Sequence, residues 1–195
     1  MTEGKLTRRS FLSGVGALVG GGLGYALLEA AKQATPALLR PPGALPEEEF
    51  LAACIRCGRC VEACPYDTLR LATATNAAAI GTPYLIARET PCYLCQGYDK
   101  LQCIAACPTG ALQPVPSLEE VHMGTAVINK DICIAWQGLV CRACWHACPF
   151  AGIAIELDKM GKPIIVEDRC VGCGLCDNAC ITEPSAITIV PRQAG

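Results

Sequence analysis

The stretch CIRCGRCVEACP, residues 54–65, carries four cysteines and a proline directly after the last of them. Cys54, Cys57, Cys60 and Cys64 stand at the spacing C-x2-C-x2-C-x3-C-P. This is a spacing with which thiolates hold [4Fe–4S] clusters: three cysteines bind one cluster and the fourth reaches to a second. The run therefore predicts an iron–sulfur site whose partner group lies elsewhere in the chain.

The other cysteines form three further groups of four. These are Cys92, Cys95, Cys103 and Cys107, then Cys133, Cys141, Cys144 and Cys148, and finally Cys170, Cys173, Cys176 and Cys180. Loops of seven residues, QGYDKLQ and IAWQGLV, interrupt the second and third groups, and the fourth ends on Ile181 in place of proline. The groups repeat about every forty residues. All 16 cysteines are used, which predicts four [4Fe–4S] clusters with these residues as ligands.

Composition agrees with a fold organised by inorganic groups. Only 5% of the 195 residues are aromatic, so little large side-chain area is available for a conventional core. The net charge of −2 provides no basic surface of the kind that binds nucleic acid, and we exclude that class of partner.

Short β-prone stretches lie around the cysteine groups. TAVIN (125–129) and PIIVE (163–167) precede two groups, GIAIEL (152–157) and AITIV (186–190) follow two, and EEEFLAA before Cys54 predicts a short helix. Strand, cysteine run, helical turn and strand is the order of bacterial ferredoxins. We therefore predict a loop-rich α+β fold of two tandem two-cluster ferredoxin-like modules.

The N-terminal segment is typical of an export signal. Arg8, Arg9, Phe11 and Leu12 resemble a twin-arginine motif, and nineteen uncharged residues follow at 10–28. A membrane anchor is the alternative, since nineteen residues can just span a bilayer. Twin-arginine export carries folded proteins, so clusters inserted in the cytoplasm would reach the periplasm intact. We assign residues 1–34 to this signal or tether, 35–46 to a proline-rich linker, and 47–195 to the four-cluster domain.

Other kinds of site are weaker candidates. C-x2-C pairs also bind zinc, but zinc sites do not require the x3-C-P ending. His146, between two cysteines, could tune a cluster, although His146 and His122 are expected to be ordinary packed or exposed side chains. We find no nucleophile–base pair, carboxylate dyad or glycine-rich phosphate loop, so the sequence predicts an electron carrier with no catalytic residues. An enzyme acting alone is the least supported alternative.

Beyond the cysteines, the chain resembles the NapG/MauM family of ferredoxin-type proteins. The resemblance is carried by RPPGA at 40–44, by ACIRCGRCVEACPYDTLRLAT at 53–73, by GTPYLIAR at 81–88 and by the QGL loop at 137–139. It implies a periplasmic protein with four [4Fe–4S] clusters. It also implies electron transfer from a quinol-oxidising membrane partner, NapH, toward periplasmic nitrate reductase or a cytochrome before it. The chain would then be the non-catalytic iron–sulfur component of a quinol dehydrogenase complex, held at the membrane by that partner or by an uncleaved signal. A MauM-like role in amine oxidation, or in another exported oxidoreductase, is the alternative.

The pairing of the groups is open on the residues alone. Similarity to the four-cluster subunits of molybdenum oxidoreductases implies that group one pairs with group four and group two with group three. Pairing of consecutive groups fits the linker lengths equally well, and the first arrangement is the one we expect.

Overall fold

The computed structural model describes residues 37–74 and 79–192, and these described residues belong to one compact unit. The predicted signal at 1–34, with Arg8 and Arg9, lies outside the described residues. Within them, no helix is both long enough and apolar enough to cross a bilayer.

The first half of the unit contains three short helices and a minimal hairpin. The helices are α1 (Glu47–Ala53), α2 (Arg59–Glu62) and α3 (Gln102–Ala106). The strands β1 (Arg70–Leu71) and β2 (Pro83–Tyr84) pair antiparallel. A 3-10 turn at Leu118–Glu120 leads into the second half.

The second half contains two short helices and two antiparallel strand pairs with longer strands. β3 (Gly124–Ile128) pairs antiparallel with β6 (Ile187–Pro191), and β4 (Ile155–Leu157) pairs antiparallel with β5 (Pro163–Ile165). The helices are α4 (Ala143–Ala147) and α5 (Leu175–Asn178), with a 3-10 turn at Glu167–Arg169. In β3 and β6 buried and exposed residues alternate, as expected for strands with one face on the core.

The predicted elements are largely confirmed. EEEFLAA forms α1 over the predicted residues, and all four β-prone stretches contain strands whose ends differ from the prediction by at most three residues. The hairpin of β1 and β2 was not predicted, because strands of two residues leave no alternating pattern in the sequence.

The domain boundary differs from the prediction. Residues 37–46, expected to be linker, pack into the folded unit, with Leu39 and Arg40 buried and Pro41 and Pro42 fully buried. Backbone bridges join Leu39 to Leu85 and Ala44 to Leu112. Proline favours an extended backbone, but that conformation suits a buried edge segment as well as a solvated linker.

Gly43 lets this segment lie against the chain that follows α3. Its φ is +73°. A Cβ built on Gly43 would lie 2.1 Å from the carbonyl oxygen of Gln113. The N–H of Gln113 donates a hydrogen bond to the Gly43 carbonyl oxygen at 2.6 Å. The backbones therefore approach too closely for any side chain at position 43.

We expect Gly43→Ala to destabilise the protein by about 2–4 kcal/mol, because it adds a backbone clash to the cost of a left-handed conformation. Gly152→Ala is the matched control: φ there is +80°, and nothing lies within 4 Å of the added Cβ. The control should lose only about 1 kcal/mol. Thermal unfolding, monitored through the loss of cluster absorbance, measures the stability of both variants. Equal losses of stability would contradict the clash.

Candidate iron–sulfur centres

Each cysteine group contributes one short helix, and these helices pack in two pairs. α2 contacts α3 in the first half, and α4 contacts α5 in the second. The third cysteine of each group lies on these helices: Cys60, Cys103, Cys144 and Cys176, all buried. The helix pairs therefore bring group one to group two and group three to group four.

The second half contains two apolar cavities, each lined by four cysteines from two groups. One is lined by Cys133, Cys141, Cys144 and Cys180, which we call site three. The other is lined by Cys148, Cys170, Cys173 and Cys176, which we call site four. In each cavity three cysteines come from one group and the fourth crosses over from its partner group. This is the ligand exchange of two-cluster ferredoxins.

In the first half, thiols of the two groups influence each other. Burial raises the pKa of the Cys60 thiol to about 11, and the charges of Cys54 and Cys107 add to the rise. Burial likewise raises the pKa of Cys103 to about 12, with the charges of Cys95, Cys60 and Cys64 contributing. By the crossing rule of the second half, we assign Cys54, Cys57, Cys60 and Cys107 to site one, and Cys64, Cys92, Cys95 and Cys103 to site two.

The expected pairing of group one with group four, and of group two with group three, is wrong. Cys64 lies with Cys95 of the second group, and Cys148 shares its cavity with Cys170 of the fourth. The pairing follows from packing of neighbouring helices, whose apolar faces meet within each half.

The cysteines fit the iron–sulfur groups that the spacing implies. All 16 are free thiols, and burial raises the pKa of Cys144 and of Cys173 to about 11. A buried thiolate is costly unless a cation compensates it, and bound iron supplies that charge. In the described parts of the chain, no group of three or more His, Cys, Asp or Glu residues could hold a single metal ion.

Several cysteine sulfurs accept hydrogen bonds. Backbone N–H groups donate to Sγ of Cys95 at 3.3 Å, and to Sγ of Cys170 and Cys180 at 3.4 Å each. For Cys180, burial raises the pKa, but hydrogen bonds from Thr182 and nearby groups outweigh burial and lower it. Hydrogen bonds to sulfur also raise the reduction potential of a bound cluster, because they stabilise its more negative reduced state.

We expect Thr182→Val to lower the potential of site three by about 40 mV, since the reduced state would lose about 1 kcal/mol more hydrogen-bond stabilisation than the oxidised state. The Thr182 hydroxyl lies 3.2 Å from Cys180 Sγ. Thr109→Val is the control, because its hydroxyl lies 3.8 Å from Cys107 Sγ and its effect should be smaller. Redox titration followed by electron paramagnetic resonance (EPR) gives both potentials, and equal shifts would contradict the expectation.

Both histidines are exposed. His146 is exposed and meets Trp145 edge to face, with ring centroids 5.0 Å apart, while His122 is exposed near Arg40 and Arg192. The sequence analysis did not single out Arg40 and Arg88, whose side chains bond to distant segments of the chain. Both lie in segments that carried the family resemblance, RPPGA and GTPYLIAR, which was the available signal.

The crossed cysteine cages on paired helices and small antiparallel sheets define a ferredoxin-type iron–sulfur protein that transfers electrons. Comparison with protein families agrees: the 4Fe-4S dicluster domain matches residues 53–111, and a 4Fe-4S binding domain matches residues 167–181. The first match spans groups one and two, in accord with their pairing in the structure.

Relatives resemble the chain over nearly its whole length. The methylamine utilization ferredoxin-type protein MauM of Methylorubrum extorquens is 44% identical, over 97% of this chain and 89% of its own. MauM of Paracoccus denitrificans is 40% identical, over 98% and 90%. The ferredoxin-type protein NapG of Escherichia coli is 40% identical, over 94% and 85%. The chain belongs to the NapG/MauM family of ferredoxin-type proteins.

Proposed function

We propose that the chain is a periplasmic electron carrier with four [4Fe–4S] clusters. The ligands are the sixteen cysteines of sites one to four. The observation that carries this proposal is the crossed arrangement of the second half, where two apolar cavities each collect four thiols from two groups. The packing of α2 on α3 supports the same arrangement for groups one and two.

In this proposal the electrons come from a NapH-like membrane partner that oxidises quinol, and they pass toward periplasmic nitrate reductase. The chain adds no substrate chemistry of its own. It is exported by the twin-arginine route through Arg8 and Arg9, and it is held at the membrane by its partner or by the retained signal. The similarity to NapG supports this role.

A second candidate is a place in methylamine oxidation, with the same clusters and export route. The 44% identity to MauM of Methylorubrum extorquens, against 40% to NapG of Escherichia coli, favours it. The two candidates differ only in the proteins with which the chain exchanges electrons.

Capture of the native protein from its own membranes separates the candidates. The protein is solubilised in detergent under anaerobic conditions, and co-purifying proteins are identified by mass spectrometry. A polytopic quinol-oxidising protein together with nitrate reductase components supports the first role, whereas an amine dehydrogenase supports the second. Iron and acid-labile sulfide near sixteen of each per chain are expected for four clusters. Turnover of quinol or nitrate by the purified chain alone would overturn the carrier assignment.

A further inference from the structure

The two halves meet beside two ligand cysteines. The backbone N–H of Cys92, in site two, donates to the carbonyl oxygen of Cys173, in site four, at 2.8 Å. Next to this bond, Gly174 lies against Ala87 so closely that a Cβ at position 174 would be 2.4 Å from the Ala87 Cβ. Sites two and four are therefore in backbone contact across the junction.

Arg88 holds this junction from the side. Its Nη1 donates to the carbonyl oxygens of Asp177 at 2.6 Å and Cys180 at 2.8 Å, where α5 ends and its carbonyls lack helical partners. Its Nη2 reaches Glu183 at 3.0 Å, and the Asn178 side chain returns a bond to the Arg88 carbonyl at 2.9 Å. One arginine of the first half thus fixes the segment that carries Cys176 and Cys180.

The helix pairs show which of the other sites lie next to each other. Packing of α2 on α3 makes sites one and two neighbours, and packing of α4 on α5 does the same for sites three and four. With the junction between sites two and four, the order along the molecule is one, two, four, three. Cys57 of site one is the exposed cysteine among the sixteen, as suits a terminal site.

We infer that electrons cross between the halves at Cys92 and Cys173, in a chain of sites ordered one, two, four, three, and that Arg88 is the positioning residue for this crossing. The inference rests on the proposed function. At the crossing one electron leaves one site and enters the other, and no bond or proton changes. The quinol-oxidising partner supplies the electron in the cell, and dithionite supplies it in the test.

Removal of single sites tests the order. Reduced clusters carry unpaired spins, and adjacent spins broaden each other's EPR signals. Cys176→Ala removes site four and should leave site three without a neighbour, giving a narrow signal of about one spin per chain. Cys144→Ala removes site three and should leave sites one, two and four contiguous, with no narrow signal. The reverse result would place site three at the junction and overturn the order.

Variants of Arg88 test the junction with every ligand intact. We expect Arg88→Ala to keep the iron content of the wild type but to weaken the broadening between the halves, and Arg88→Lys to restore only part of it. Arg70→Ala is the control, because Arg70 makes an exposed ion pair with Glu89 beside the junction. Unchanged spectra in Arg88→Ala would overturn its role. A wild type with far fewer than about sixteen irons would instead overturn the four-cluster proposal itself.

Discussion

The double variant Cys60→Ala/Cys107→Ala is expected to lose no more iron than either single variant, about four of about sixteen atoms per chain. The physical reason is that Cys60 and Cys107 both belong to site one, although 47 positions separate them in the sequence. Once one ligand of a cluster is lost, removal of a second ligand from the same cluster costs little more. Iron and sulfide analysis of anaerobically purified variants measures the loss.

Cys103→Ala/Cys107→Ala is the matched control for that experiment. Both of its cysteines come from the second group and are only four positions apart, but we assign them to different sites. We therefore expect about eight irons to be lost. Loss of about eight from Cys60→Ala/Cys107→Ala and of about four from Cys103→Ala/Cys107→Ala would show that each group keeps its own fourth cysteine.

Much of this organisation could be predicted from the spacing of the cysteines. The C-x2-C-x2-C-x3-C run has a direct geometric meaning, since three close thiols wrap one cluster and the fourth points away from it. The strands around the groups were also visible, because β-branched residues such as those of Ile187–Pro191 alternate between a buried and an exposed face.

The choice of partner for each crossing cysteine could not be predicted. Spacing shows that Cys64 leaves its own group, but the direction that it takes depends on which helices pack together. The linkers between groups are long enough for either arrangement, and loop closure differs little in free energy over such lengths. The packing of α2 on α3 decides the pairing. These helices have only four and five residues, which is too short for the sequence pattern to show which face of each helix packs against the other.

Arg40 and Arg88 were missed for a related reason. An arginine beside prolines is usually exposed, and nothing in the letters RPPGALP shows that Arg40 has partners 42 residues away. Arg88 likewise bonds carbonyls about ninety positions further along the chain. Contacts of this kind are set by tertiary packing, on which a local sequence pattern carries no information.

Arg40→Ala should be among the most destabilising changes outside the cysteines, at about 3–5 kcal/mol. The side chain is 8% exposed and forms a two-point ion pair with Glu47, with Nε to Oε2 at 2.8 Å. Its Nη1 donates to Thr82 Oγ1 and to the Pro83 carbonyl, each at 2.8 Å, and its guanidinium lies 4.8 Å from the centre of the Phe50 ring. One cation thus joins the N-terminal segment, α1 and β2, and truncation leaves buried acceptors unpaired.

Arg70→Ala provides the comparison for Arg40, because its ion pair with Glu89 is about half exposed on both sides and should be worth under about 1 kcal/mol. Thermal unfolding at one fixed scan rate should show a midpoint about 6–20 °C lower for Arg40→Ala and nearly unchanged for Arg70→Ala. Arg40→Met separates packing from polar contacts: it keeps a long side chain over Phe50 but cannot donate to Thr82 or Pro83. If Arg40→Met were as stable as the wild type, the guanidinium bonds would contribute nothing, and burial of the aliphatic stem alone would hold residues 37–46 in the fold.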